Sequence, residues 1–296
     1  MKLLILGIDG ADRRIMDSFQ LNTWRKLRNS LTDHDVRLKD LWSGGWGELV
    51  SGKHGSQTGA LYARPTNTPG VTQSKFSSFD YSKSSVPLWE KLNNIGFSVS
   101  LHNIPTTAPA PKLDGYVVCG GGAGMSANPC AENSLFYPQR GVVPRTVGNN
   151  YIRDIRYSTL KNKNFDNLFS QLDLMDSNHI DTFCALNIAN KIDVGFLVIR
   201  SLVVIQQLFI DIIDNPNIDL TIYERIMIHL SKLDYKLEKV IDALAPENIK
   251  FVPLNQSELM NGPEIMEFYS NDRNMKEFVN IIVDSEVYPI FTDQNN

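Results

Sequence analysis

The sequence predicts an α/β protein with a mostly parallel central sheet, helices on both faces and a small loop-rich cap. Short apolar, β-branched runs alternate with helical stretches along the 296 residues, a pattern typical of strands buried between two helical layers. The predicted strands are Lys2–Ile8, Phe97–Ile104, Tyr116–Cys119, Val194–Ile199 and Ile249–Leu254. This length suits one large domain, so we expect a single domain over residues 1–296.

The segments between the strands predict three helices and one long loop. Pro87–Ile95 is followed by Gly96, a residue that commonly ends helices. Ser201–Asp214 is apolar nearly all round and should be buried. Leu220–Leu244 carries an apolar stripe of only about three heptads, which favours packing on the sheet over a coiled coil. Residues 120–165 are rich in Gly, Asn, Pro and Ser and are predicted to form a cap or loop insertion.

The composition of the chain indicates which classes of binding partner and which cellular compartment to expect. The net charge of -4 gives no electrostatic case for binding nucleic acid or an anionic membrane. No apolar run is long enough to span a bilayer, and Asp9 interrupts the N-terminal apolar stretch, so a buried strand is favoured there over a signal peptide. The three cysteines are odd in number and widely spaced, which indicates neither a disulfide framework nor a zinc site. We therefore expect a cytoplasmic protein.

The first predicted strand ends in Asp9-Gly10. A carboxylate at this position lies at the carboxyl edge of a parallel sheet, where open α/β folds bind ligands. Many α/β proteins end a first strand with Asp, so the motif alone is weak. A haloacid-dehalogenase-type nucleophile would need an Asp-x-Asp pair, whereas Asp9 and Asp12 are three residues apart.

Two further segments carry ordered motifs. The run Pro87–Leu92, a Trp-x-x-Leu helix, is followed by a Gly turn and a strand that leads into the loop Asn103–Pro109. The next strand ends at Gly120. A second run extends from Trp46 to Gly59, and in it the pair Ser51-Gly52 follows Trp46 after a short spacer. The helix, the Gly turn, the strands and the loop of the first run follow each other in a defined order and spacing over about thirty residues. Chance is a poor explanation of such an ordered motif.

With Asp9-Gly10, these segments resemble the type I phosphodiesterase/nucleotide pyrophosphatase family of the alkaline phosphatase superfamily. The resemblance implies an alkaline phosphatase-like fold, and it implies that Asp9 is a metal ligand. A one-residue slip in register would make Ser43 the nucleophile, since Gly44 and Gly45 permit unusual backbone geometry. An ordinary loop serine remains the alternative. The residues expected to bind substrate are Lys53, Asn103 and Thr107.

The metal ligands of this family are mostly replaced. Two-metal hydrolysis uses paired divalent ions to neutralise the phosphate and stabilise the leaving oxygen, and about six Asp and His ligands hold them. The resemblance places Val203 and Gln207 at an Asp and a His ligand position, and Asn255 and Gln256 at another such pair. No histidine follows His229, where the family carries its last ligand.

Other histidines offer no second metal site in the sequence. His179 is expected at the start of a helix, with Asp176 or Ser177 as its cap. His229 lies beside apolar positions of the long helix and is expected to be packed or to face solvent.

Three functions follow from these observations. The first is a phosphodiesterase-like protein that has lost two-metal hydrolysis and binds a nucleotide, another phosphate-bearing small molecule or a protein partner, without a cofactor. The second is an active metal-dependent phosphodiesterase with a reduced site that holds a single zinc, manganese or magnesium ion. The third is an unrelated nucleotide-binding protein, which the lack of a Gly-rich phosphate loop disfavours. The first two predict that Asp9, Ser43 and Asn255-Gln256 converge at one end of the sheet.

Overall fold

The computed structural model describes residues 1–11, 15, 18–19, 21–29, 46, 50, 86–105, 107, 109–120, 135–138, 152, 155 and 165–254. The strands in this part of the chain are β1 (Leu3–Asp9), β2 (Val99–His102), β3 (Gly115–Val118), β4 (Phe136–Tyr137), β5 (Val194–Ile199) and β6 (Asn248–Leu254). Its α-helices are α1 (Asn22–Asn29), α2 (Leu88–Asn94), α3 (Phe165–Asn190), α4 (Ser201–Asp214) and α5 (Leu220–Leu244).

The strands form one mixed, mostly parallel sheet in the order β4-β3-β2-β5-β1-β6. Every pairing is parallel except that of β3 with β4. From β1 the chain continues to β2, which lies on the β5 side of β1. From β5 it continues to β6, which lies on the β1 side of β5. The connections that leave these two neighbouring strands therefore run in opposite directions along the sheet. Such a reversal marks the point at which open α/β sheets bind ligands, outside the carboxyl ends of the strands.

Both faces of the sheet are covered, which confirms the predicted α/β class. Alternate residues of β1 pack into different clusters: Leu4 and Leu6 face the larger core built with α1, α3, α4 and α5. Leu3 and Ile5 face a second core that contains α2 and the buried Trp46. Neither face of β1 is exposed to solvent, so both faces carry apolar residues. This explains the continuous apolar sequence of the strand.

Helix α3 corrects one expectation. It spans 26 residues, so Asp176, Ser177 and His179 lie near its middle and cannot cap its start. The Ser177 hydroxyl instead donates to the carbonyl oxygen of Asp173 one turn earlier. Asp176 and His179 are buried at 0% and 1% exposure. The helix therefore packs with ionisable groups on its inner face, which requires partners for them.

Other predicted elements match with small changes at their ends. Helix α5 and strand β5 have the predicted bounds. Helix α4 also has the predicted bounds, but its backbone is non-helical at Phe209 and its buried part ends near this kink. Within residues 120–165, β4 pairs with β3, while most of the predicted cap lies outside the described residues. None of the helices described is sufficiently long and apolar to cross a membrane.

Buried side chains also fix the helices to each other. Asp234 of α5 accepts hydrogen bonds from the backbone N–H groups of Thr23 and Trp24, at 3.1 and 2.8 Å. These two N–H groups belong to the first turn of α1, where no preceding helical turn supplies a carbonyl oxygen to accept their hydrogen bonds. Asp234 thus caps α1 from another helix.

Candidate functional site at the carboxyl edge of the sheet

Asp9 lies at the carboxyl end of β1 and is completely buried. Its Oδ2 lies 3.2 Å from Nε of Arg200, the residue that joins β5 to α4. The arginine side chain is 13% exposed. The charge of a buried carboxylate must be compensated, and here a guanidinium from the neighbouring strand contributes to that compensation.

Gly10 brings the end of β1 into close contact with the first turn of α4. Its φ of +83° lies in the left-handed region. A Cβ atom at this position would lie 2.7 Å from Cα and 2.8 Å from N of Val203. Val203, which the resemblance aligns with an Asp ligand, is thus a buried neighbour of Asp9-Gly10. An apolar side chain at this place cannot coordinate a metal.

Two buried polar side chains of α4 lie near the same edge. Gln206 is 5% exposed, and its Oε1 lies 2.9 Å from the position that a Cβ on Gly10 would occupy. Its Nε2 has no hydrogen-bond partner among the described residues. Ser201, at the start of α4, is completely buried, and its hydroxyl likewise lacks a partner in hydrogen-bonding geometry there. Sequence reasoning missed both residues.

The predicted substrate-binding residues Asn103 and Thr107 are buried at the exits of β2 and β3. Asn103 has a φ of 60°, and its Nδ2 donates to the carbonyl oxygen of Val198 at 2.8 Å. The Thr107 hydroxyl donates to the carbonyl oxygen of Ile104 at 2.6 Å and accepts from the N–H of Gly120 at 3.2 Å. Both side chains hold strand ends together, and their role towards a substrate stays a prediction.

Several predicted site residues lie outside the described residues: Ser43, Lys53, Asn255 and Gln256. The side chain of Gln207 does so too. Leu254, the last described residue, pairs with Asp9 in the parallel register of β1 and β6. The described part of β6 therefore ends beside Asp9, and the convergence with Ser43 and Asn255 stays a prediction.

A second polar cluster joins α3 to α5. The imidazole of His229 is 2% exposed and lies between two carboxylates of α3. Its Nδ1 lies 2.6 Å from Oδ1 of Asp173, and its Nε2 lies 3.4 Å from Oδ2 of Asp176. Lys232 also donates to the Asp173 carboxylate. The two carboxylates thus approach opposite nitrogens of one ring and do not surround a common point.

The pKa values of the two carboxyl groups, Asp173 and Asp176, shift in opposite directions. Burial raises the pKa of Asp173, but hydrogen bonds and charges from His229 and Lys232 outweigh burial and lower this pKa to about 2. For Asp176, burial dominates and raises the pKa, against the smaller opposing effects of His229, Ser201 and Lys236. Asp173 is therefore ionised at neutral pH, whereas Asp176 has an increased tendency to hold a proton.

A third buried group couples β2 to α3. The rings of His102 and His179 meet edge to face, with their centroids 5.7 Å apart. Burial, and secondarily the proximity of His179, lowers the pKa of His102 well below its usual value. Two imidazoles at this distance strongly disfavour double protonation.

The described residues do not fit the two-metal centre that the resemblance implies. In this part of the chain, no three His, Cys, Asp or Glu side chains lie together in a way that could hold a metal ion. Arg200 is a cation at Asp9, and the adjacent α4 position is a valine. No metal-dependent step follows from these groups.

Comparisons with known proteins give partial similarities. No family model matches the chain. The phenylalanine–tRNA ligase β subunit of Drosophila melanogaster is 50% identical over 54 residues, which make up 18% of this chain and 9% of that protein. The Saccharomyces cerevisiae subunit is 42% identical over 57 residues, 18% of this chain and 10% of that protein. The chain thus spans about a tenth of the length of these relatives.

A solved structure covers much more of the chain at a weaker level of similarity. Murine ectonucleotide pyrophosphatase / phosphodiesterase 5 aligns with 86% of this chain and 56% of its own chain, at a TM-score of 0.42 and 13% identity. A similarity of this size does not carry an inference about function, so the function must be argued from the carboxyl edge itself.

Proposed function

We propose that this chain is a phosphodiesterase- and nucleotide pyrophosphatase-like α/β protein that binds a phosphate-bearing small molecule at the carboxyl edge, without two-metal hydrolysis. The observation that carries the proposal is the Arg200 guanidinium on Asp9. In the family that the sequence resembles, a metal ion would take that place. A guanidinium matches the geometry of phosphate oxygens, and it brings positive charge without a metal.

The surroundings of Arg200 support binding of an anion. The pair lies between the carboxyl ends of the parallel strands β1 and β5, where the order of strand connection reverses. Helix α4 begins directly after Arg200 and has no side-chain cap hydrogen bond. Its first N–H groups and its dipole therefore favour a negative ligand. The buried Gln206 amide, whose Nε2 has no hydrogen-bond partner in the described part of the chain, supplies an additional donor.

Each group has a defined role in this proposal. Asp9 holds the Arg200 side chain through Nε and fixes its direction. Arg200 binds the phosphate charge, and Gln206 donates to a phosphate or ester oxygen. Hydrolysis would in addition need an ionised nucleophile and a positive charge that stabilises the negative charge developing on the leaving oxygen, both of which paired metal ions normally supply.

Calorimetric titration of the purified chain with inorganic pyrophosphate and with AMP tests the binding. We expect binding by the unmodified chain and at least about a tenfold loss of affinity in Arg200→Gln, the result of one lost charge-assisted contact. The matched control is Arg225→Gln, because Arg225 of α5 pairs with Asp166 of α3 and is not one of the residues assigned to the site. Absence of binding by the unmodified chain, or equal losses in both variants, would overturn the proposal.

Hydrolysis of bis(4-nitrophenyl) phosphate tests the catalytic part. With zinc, manganese or magnesium added, we expect no rate above the uncatalysed background. A metal-dependent rate that disappears in Asp9→Asn, with the variant still folded by circular dichroism, would instead establish the reduced single-metal phosphodiesterase.

A further inference from the structure

The charges of the described residues at the carboxyl edge nearly cancel before a ligand binds. Asp9 and Arg200 form an ion pair, with Oδ2 of the carboxylate 3.2 Å from Nε of the guanidinium. Helix α4 begins directly after Arg200, and its dipole adds about half a positive charge at the first turn. The buried amide of Gln206 brings a hydrogen-bond donor without a charge. These groups offset one negative charge on a ligand only in part, and they leave a second one uncompensated.

The two members of the ion pair act on a ligand with unequal strength. Asp9 is completely buried, whereas the Arg200 side chain is 13% exposed. Water reaches the guanidinium and screens its attraction, but the carboxylate acts through the interior, where the effective dielectric constant is lower. Repulsion by Asp9 therefore opposes attraction by Arg200 for each charge that the ligand carries.

Desolvation increases the difference between singly and doubly charged ligands. The free energy lost when an ion leaves water rises with the square of its charge, whereas its attraction to one guanidinium rises only in proportion to the charge. Gln206 is 5% exposed, so little water reaches this part of the edge. The hydration that a doubly charged phosphate gives up is thus not replaced by Arg200 and the first turn of α4.

Phosphate monoesters occur in both charge forms near neutral pH. Their second proton leaves with a pKa of about 6, so they carry one charge below that pH and two above it. The singly charged form also has an O–H group that can donate a hydrogen bond. An acceptor lies at the edge, because Oε1 of Gln206 is 2.9 Å from the position that a Cβ atom on Gly10 would occupy. Hydrogen bonding and charge thus favour the same form of the ligand.

We infer that Asp9 is a specificity-determining residue: its buried charge makes the carboxyl-edge site bind a phosphate group with one negative charge in preference to one with two. The inference rests on the proposed function for its ligand, and it assigns Asp9 a role that needs no metal ion. A phosphate monoester then binds as its singly protonated form, and an ester group on a second oxygen preserves the binding.

Other ionisable groups lie on the elements around this edge. Lys250 precedes Leu254, the β6 partner of Asp9, by about 13 Å of strand. The others include Asp211 and Asp214 of α4, and Asp173, Asp176, His229 and Lys232 of the cluster between α3 and α5. A pH dependence caused by these groups acts on every anionic ligand. A ligand whose own charge is fixed therefore separates their effect from that of the phosphate.

Calorimetric titration with AMP and with its methyl ester tests the preference. The two ligands differ by one methyl group, but the ester carries one charge throughout the range from about pH 5.5 to 8. With EDTA present to exclude metal ions, the affinity for AMP should fall about fivefold or more across this range, the effect of a pKa raised by about one unit in the bound phosphate. The affinity for the methyl ester should stay constant. Equal pH dependence for both ligands, or a constant affinity for AMP, would overturn the inference.

The variant Asp9→Asn tests whether the preference belongs to the carboxylate. Asparagine keeps an oxygen that can accept a hydrogen bond from Nε of Arg200, but it removes the negative charge. The affinity for AMP at pH 8 should therefore rise, and most of its pH dependence should disappear. The matched control is Asp166→Asn, because Asp166 pairs with Arg225 and is not one of the residues assigned to the site. Identical AMP profiles in the two variants would refute the role of Asp9.

The outcomes separate this inference from the proposed function. If neither ligand binds at any pH, the proposed function fails and the inference falls with it. If both ligands bind with the same pH profile, the charge preference is refuted, whereas phosphate binding at the edge stands. If Asp9→Asn does not fold, as judged by circular dichroism, the comparison of the two ligands on the unmodified chain decides.

Discussion

Removal of the Arg200 guanidinium should destabilise the fold through Asp9. Arg200→Met keeps most of the side-chain volume but leaves a completely buried carboxylate without this cation. At 3.2 Å and an effective dielectric constant of about 20, the pair is worth about 5 kcal/mol of direct attraction. Breaking one partner of a buried pair is destabilising by about 3–5 kcal/mol. The arginine is partly exposed, so we expect the lower part of that range.

A double-mutant cycle isolates the pair. Asp9→Asn removes the charge and leaves an arginine that solvent can reach, so its effect should be smaller, about 1–2 kcal/mol. The double variant should be more stable than Arg200→Met alone, because it lacks the buried negative charge of Asp9 as well as the guanidinium. Urea unfolding followed by tryptophan fluorescence measures all four proteins, since Trp24, Trp46 and Trp89 are buried. A loss below about 0.5 kcal/mol in Arg200→Met, with additive single effects, would refute the reasoning.

Three further substitutions test features that position the site. Gly10→Ala should destabilise by about 1–3 kcal/mol or more, through its left-handed backbone and a clash with the first turn of α4, whereas Gly96→Ala, with φ of +90° and nothing within 4 Å, should show strain alone. Asp234→Ala should cost about 1–2 kcal/mol in thermal or urea unfolding, because two backbone donors of α1 lose their acceptor. Burial makes the pKa of His102 lower in the folded protein than in the unfolded chain, so the unfolded chain takes up a proton at a higher pH. The free energy of unfolding should therefore fall as the pH drops below about 6.5, by up to about 1.4 kcal/mol per pH unit. The fall should end when the pH passes the lowered pKa of the folded protein. In His102→Gln that part of the slope should be absent, although His179 remains.

Each of these expectations has a clear contrary result. Equal stability losses in Gly10→Ala and Gly96→Ala would show that the contact with α4 is unimportant. If Asp234→Ala unfolds like the unmodified chain, α1 is capped in another way. A stability profile between pH 5 and 6.5 that is the same with and without His102 would assign the acid sensitivity to other groups.

The sequence predicted the parts of the fold that depend on local patterns. Strand β5 and helix α5 have clear periods and clear ends, and their predicted bounds agree with the structure. Helix α3 was not predicted over its full length, because Asp176, His179 and Asn187 lie on its buried face. A polar residue at an inner position removes the apolar stripe by which an amphipathic helix is identified.

The site was predictable to the extent that it depends on one strand. The position of Asp9 follows from a strand ending at a carboxylate, and its place at the carboxyl edge is confirmed. Its partner Arg200 is 191 residues away in sequence, and His229 is 56 residues from Asp173. No local pattern identifies such pairs, because the sheet order and the packing of α3 on α5 bring them together.

Strand β6 ends the described sheet on the side of β1, and it bears on solubility. A free strand edge offers N–H and C=O groups that can recruit another chain. Pro253 has no N–H to offer, and Lys250, whose pKa burial lowers, is a partly covered lysine on the same strand. Prolines and inward lysines are devices by which natural sheets prevent edge-to-edge growth. In the part of the chain that the structure describes, no strand lies beyond β6 on this side, so replacing Lys250 with valine should remove one of these devices, and we expect a greater tendency to aggregate.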